Sequence, residues 1–136
     1  RVLSRPRLMS TRSKARKEAL DQLFEADLRK HDINVDNFGE MREYAVEILN
    51  GVKGNKSRID ELIRSYIQGW DFDRIPSVDR NILRLAIWEL LWSQTPESVV
   101  IDEALKLASE LSTEDSPKFI HGVLGKLAAL KGQIAL

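Results

Sequence analysis

The sequence predicts an all-α fold, and three observations carry that expectation. Apolar residues recur at three-and-four spacing along the chain, no segment sustains the two-residue alternation of a half-buried strand, and the breaks fall at Gly, Ser, Thr and Pro. Counting the periodic stretches gives six or seven helices around one core, in an N-terminal half to about residue 69 and a C-terminal half from about residue 77.

Taken in order, a first helix is expected over roughly residues 11–30, with Ala15, Ala19, Leu20, Leu23 and Ala26 on one stripe and Glu18, Asp21, Gln22 and Glu25 opposite. The polar stretch from His31 to Asp36 ends it. A second helix carries Phe38, Met41, Ala45, Ile48, Leu49 and Val52, and Gly54 with Asn55 is read as the turn into a third holding Ile59, Leu62, Ile63, Tyr66 and Ile67. Gly69 closes that helix. The connection from Gly69 to Ser77 contains Trp70, Phe72, Ile75 and Pro76 and is too apolar for a free linker. Ser77 is the expected N-cap of a central helix whose Val78, Ile82, Leu83, Leu85, Ala86, Ile87, Leu90 and Leu91 make it apolar nearly all round. Thr95 with Pro96 opens the next helix, and Ser116 with Pro117 the last.

At 136 residues the chain is long enough to bury one core without a chemical staple. The absence of cysteine excludes thiolate metal sites, thiol catalysis and disulfides, and His31 and His121 are the only imidazoles. No apolar run reaches the roughly 18 residues of a membrane span, so a cytoplasmic protein is expected. Charge is balanced at 21 basic and 21 acidic residues but is segregated. Residues 1–17 hold seven bases and no acid, which leaves 14 bases against 21 acids in the remainder, a net of −7. A basic arm on an acidic body points to a polyanion, with nucleic acid the first candidate. Met9, followed by Ser10 and Thr11, resembles a natural start, so residues 1–10 are read as a disordered extension or tag remnant ahead of a single domain over residues 11–136.

Arg12 and Arg16 fall on the apolar stripe of the first helix. Burying an unpaired guanidinium costs several kcal/mol, so these turns either overhang the core as a cationic tip or pair with acids of the body. Phe24 and Leu28 widen the apolar arc, which the rest of the domain, a second protein or a second copy of the chain would cover. Catalytic and metal signatures are missing. Gly51 to Ser57 imitates a phosphate loop, but Asn55 separates Gly54 from Lys56, and no strand precedes it. Gly51 to Gly54 matches a KH-type GxxG without the flanking strands and is read as an interhelix turn. Asp102 with Glu103, and Glu114 with Asp115, are read as solvated or helix-start carboxylates, and Trp88 with Trp92 as core packing. No cofactor is expected.

Two longer stretches go beyond periodicity. Val78 to Leu90, reading VDRNILRLAIWEL, resembles the central helix of the NusB family of bacterial transcription antitermination factors. Val100 to Leu111 followed by Glu114 to Lys126, reading EDSPKFIHGVLGK, is similar to that family's long C-terminal signature, and Arg12 to Phe24 resembles its arginine-rich first helix. The chain departs from the family pattern at Ser13, His121 and Gly125.

The resemblance implies two small packed helical bundles and no catalysis. It implies binding of single-stranded boxA-like RNA together with the ribosomal protein NusE, within the RNA polymerase antitermination complex that reads through ribosomal RNA operons. Carried onto matching positions, it implies RNA contacts at Arg12, Lys14, Arg16 and Lys17 and at Asp115, Lys118 and Phe119, and NusE contacts at Phe24 and Asp79, with Leu28 on the same flank. Two other readings stand beside it. One is a NusE-binding scaffold that touches RNA nonspecifically; the other is a NusB-like domain detached from an RNA methyltransferase. A homodimer burying the apolar arc and the basic tip is a further expectation.

Overall fold

The computed structural model describes residues 10–33, 41–67 and 69–136. Five α-helices follow one another there: α1 (Thr11–Arg29), α2 (Glu43–Tyr66), α3 (Ser77–Trp92), α4 (Glu97–Leu111) and α5 (Ser116–Ala129). Single 3-10 turns at Phe72–Arg74 and Lys131–Gln133 complete the regular structure of the described residues, among which no strand occurs. Residues 1–9 of the expected extension with the start at Met9, the apolar role of Phe38 and the end of the His31–Asp36 stretch lie outside the described residues, whereas Ser10, the last residue of that extension, is described.

Helix α3 is the axis of the fold. Every residue from Asn81 to Leu90 is buried, as its all-round apolar pattern requires, and it packs against α1 and α2 on one side and α4 and α5 on the other. The core combines Ala19, Leu23, Ile48, Leu49, Ile59 and Ile63 from the first two helices with Val100, Leu107, Ile120 and Leu124 from the last two. Burying each large aliphatic side chain contributes roughly 1.5–3 kcal/mol relative to leaving it exposed.

Among the described residues the second and third expected helices are one, because the expected turn at Gly54 and Asn55 does not form. Helix α2 runs unbroken for 24 residues. A glycine inside a helix costs only about 1 kcal/mol relative to Ala. The stripe of Ile48, Leu49, Val52, Ile59, Leu62 and Ile63 is buried continuously on both sides of it and outweighs that cost. Asn55 stays helical and donates its Nδ2 to the Gly51 carbonyl at 2.9 Å. Gly51 has a packing role: a Cβ there would lie 1.9 Å from Trp88 Nε1, so its absence lets the indole rest on the α2 backbone.

The connections have equally local causes. Ser10 caps α1 by accepting the Ser13 amide at 3.0 Å. Gly69, at φ 75°, takes the left-handed conformation that turns the chain after α2. Ser77 is the first residue of α3, behind Pro76 at the N-cap. Its hydroxyl donates to Asp27 at 2.9 Å, so the expected cap is used to tie α3 to α1.

Candidate nucleic-acid interface

The first turns of α1 carry the basic tip, and the structure divides its cations into two kinds. Arg16 is 3% exposed. Its Nε and Nη2 donate to the two carboxylate oxygens of Glu89 on α3 at 2.8 and 2.9 Å, and its Nη1 donates to Glu103 on α4 at 2.8 Å. The Tyr44 hydroxyl donates to the same Glu89 at 2.5 Å, and Ser13 donates to Glu103. Arg16 is therefore corrected from an RNA contact to an internal tie: its donors are spent on two carboxylates inside the fold. Burial alone would lower the Arg16 pKa, but hydrogen bonding and attraction to Glu89, then Glu103, more than offset it and raise the value. Burial acts against the Glu103 carboxylate too; hydrogen bonds from Ser13 and Lys106 and the charge of Arg16 leave its pKa below the ordinary value.

The remaining cations of the tip face outward. Arg12 is exposed, with its guanidinium 4.2 Å from the centroid of the Tyr44 ring, a cation–π contact that holds the head group at the surface. Lys14 is exposed beside it. Lys17 is half-buried and pairs with Glu110 on α4 at 2.6 Å across a mixed-charge groove that Lys106 and Asp102 also line. The free positive charge of the described tip thus rests on Arg12 and Lys14, with Lys17 shared.

The second group sits on the loop between α4 and α5. Buried Asp79 of α3 accepts the Ser112 hydroxyl; Ser116 donates to Ser112 at 3.0 Å and accepts the Thr113 amide at 3.1 Å. This chain of hydrogen bonds fixes the start of α5. There Asp115 and Lys118 are exposed, and Phe119 is half-buried against the core. Asp115 occupies the N-cap position of α5 without a side-chain hydrogen bond to the helix. Asp79, at 3% exposed, is corrected from a partner-facing residue to the support of this loop.

Phe24 is half-buried and Leu28 is 62% exposed on the later turns of α1, so the domain does not wrap this flank. Both candidate RNA groups are tied to α4, the tip through Glu103 in its middle and Glu110 near its end, and the loop through Ser112 just after it.

Tyr44, Glu89 and Glu103 were not singled out by the sequence as partners of the tip, although the misplaced arginine on an apolar stripe signalled that buried acids were needed. Trp70 was read only as part of a packed connection. It is 55% exposed, and its ring centroid lies 5.4 Å from that of Phe119. A second buried ionic cluster joins α1, α2 and α3: Arg80 binds Asp27 at 2.9 Å, and Arg84 binds Asp60 at 2.8 Å and Asn81 at 3.0 Å. It fixes the far end of α1 and lines a pocket that Lys30, Lys53 and Lys56 also border. Among the described residues, no group of three or more His, Asp or Glu side chains is arranged to hold a metal ion.

Comparison with known proteins agrees with this architecture. The sequence model of the NusB family matches residues 8–129. The transcription antitermination protein NusB of Acidothermus cellulolyticus is 49% identical over 129 residues, covering 89% of this chain and 89% of that protein. Its counterpart in Beutenbergia cavernae is 46% identical, with 90% and 92% covered. Among solved structures, NusB of T. maritima superposes with a TM-score of 0.79 at 33% identity, over 93% of this chain and 100% of that one. A complex of antitermination factors NusB and NusE with double-stranded RNA gives 0.74 at 26% identity, over 90% and 98%. With four helices packed around a central α3, and the family's sequence model matching residues 8–129, the chain belongs to the NusB family.

Proposed function

We propose that this chain is a non-enzymatic, cytoplasmic transcription antitermination factor that binds single-stranded boxA-like RNA jointly with NusE, in the RNA polymerase complex that reads through ribosomal RNA operons. Family membership over residues 8–129 supports the class of function. The observation that carries the RNA-binding part is the anchored cationic tip: buried Arg16 ties α1 to Glu89 and Glu103, and this leaves Arg12 and Lys14 outward to meet phosphates. Lys118 and Asp115 on the rigid start of α5 offer a second contact, phosphate-directed for the lysine and base-edge-directed for the carboxylate. Phe24 and Leu28 form the flank for NusE. No helix of the described residues is long and apolar enough to cross a membrane.

The test is fluorescence anisotropy of a short boxA-like RNA against its scrambled version, with and without NusE, across a salt series. The expected result is a boxA preference that NusE strengthens, with log affinity falling against log salt by roughly 0.7 per phosphate contacted. Arg12→Ala is expected to reduce that slope by about 0.7, one phosphate, whereas Phe24→Ala weakens the NusE arm and leaves the slope unchanged. Equal binding of boxA and scrambled RNA under every condition would replace this reading by the NusE-binding scaffold.

A further inference from the structure

Trp70 is the exposed aromatic side chain among the described residues that neither the core nor the proposed contacts use. It lies between two anchored neighbours, Ile67 and Phe72, each 8% exposed, while Trp70 itself is 55% exposed. Gly69 turns the chain just before it, and the Asp71 carboxylate accepts the Asp73 amide at 3.1 Å just after it, so its backbone is held on both sides. Among the described residues its aromatic neighbour is Phe119, with ring planes inclined by 49°. Phe119 packs on the core and is the support; the indole is the accessible surface. The surroundings are polar: Asp71, Asp73 and Arg74 on one side and Asp115 and Lys118 on the other are all exposed. Protein–protein anchors sit in desolvated pockets ringed by apolar contacts. A lone aromatic ledge beside a lysine instead suits a nucleobase with its phosphate, because every base has a π-face and stacking tolerates an open, wet rim.

We infer that Trp70 is a base-stacking residue: an unpaired base of single-stranded RNA lies on its open indole face, Phe119 backs the indole, and Lys118 takes the adjoining phosphate. The inference rests on the RNA-binding reading above and assigns the aromatic contact primarily to Trp70, leaving Phe119 as a positioning residue.

The experiment uses the full chain and the same boxA-like RNA. Trp70→Ala is expected to lower affinity roughly 5- to 150-fold, the range for losing one base stack, with the salt slope unchanged. Trp70→Phe retains most of the binding. RNA quenches the fluorescence of the native chain, and Trp70→Phe removes most of that quench. An abasic scan of the RNA finds one position whose loss weakens the native chain but not Trp70→Ala. Thermal unfolding of Trp70→Ala is followed in parallel, and a midpoint close to that of the native chain is expected. If the native chain binds RNA while Trp70→Ala binds equally well and the quench survives in Trp70→Phe, the inference is overturned and the RNA-binding reading stands. It is also overturned if Trp70→Ala weakens only the association with NusE, or if no abasic position becomes insensitive. Failure of the native chain to bind any RNA removes both.

Discussion

The tip of α1 and the loop between α4 and α5 carry the two groups of candidate RNA contacts, and they are built on opposite physical plans. The tip is electrostatic: its outward charges are Arg12 and Lys14, and its geometry comes from a buried ion pair network in which Arg16 joins three helices. The loop is geometric: Asp79, Ser112 and Ser116 lock its backbone with hydrogen bonds, and its contact surface is aromatic, with a single lysine. The difference teaches that a basic patch can be read off a sequence as a count of cations, yet the count mixes residues that meet a ligand with residues that hold those residues in place. At the tip the arginine on the apolar stripe is the holder. At the loop the holder is an acid on another helix, 33 positions from its serine.

The largest expected effect breaks the tip. Glu89→Ala would leave the Arg16 guanidinium and the Tyr44 hydroxyl buried without their shared acceptor, and removal of one partner of a buried pair costs about 3–5 kcal/mol. Urea unfolding should show that loss. The double variant Arg16→Met with Glu89→Met should recover most of it and keep the RNA affinity of the native chain, which separates holding from contacting. A smaller effect breaks the loop. Asp79→Ala removes a charge-assisted acceptor from Ser112 and is expected to cost about 1.5–3 kcal/mol, with faster amide exchange confined to residues 112–116. The smallest effect sharpens the contrast through pH. Glu103 has a folded pKa below its ordinary 4.5, so its contribution to stability is fully present above about pH 4.5 and is lost as pH falls through the lower folded value. The stability gap between the native chain and Glu103→Gln should therefore be widest near neutral pH and shrink on acidification through pH 4.5 and below.

Much of the fold was legible because periodicity reports burial directly. The all-round apolar character of α3 placed it at the centre, and the stripes of α1, α4 and α5 placed those helices around it. The break expected at Gly54 and Asn55 was not legible, because local propensity is worth about 1 kcal/mol per residue and the opposing term, the packing of α2 along α3 and of Trp88 on Gly51, lies in residues far along the chain. The site divided in the same way. Arg12 and Lys14 face outward, one of the two outcomes the sequence pattern left open for the tip, and Lys118, singled out by the family resemblance, is exposed. Arg16 and Asp79 were assigned to partners because nothing local distinguishes a charge that faces solvent from one that faces an acid or a hydroxyl on another helix.

The sequence by itself determined the helical class, the order of the elements, the central place of α3 and the concentration of basic residues at the start of α1. These follow from the spacing of apolar and charged residues, a property of neighbours within a turn or two. The tertiary structure alone decided which charges are internal, that the second helical stretch is continuous, that Phe24 and Leu28 stay at the surface, and that Trp70 stands on Phe119. Each of these depends on which side chain another element brings within a few ångströms. Local spacing sets the face a residue occupies, and only packing sets what that face meets.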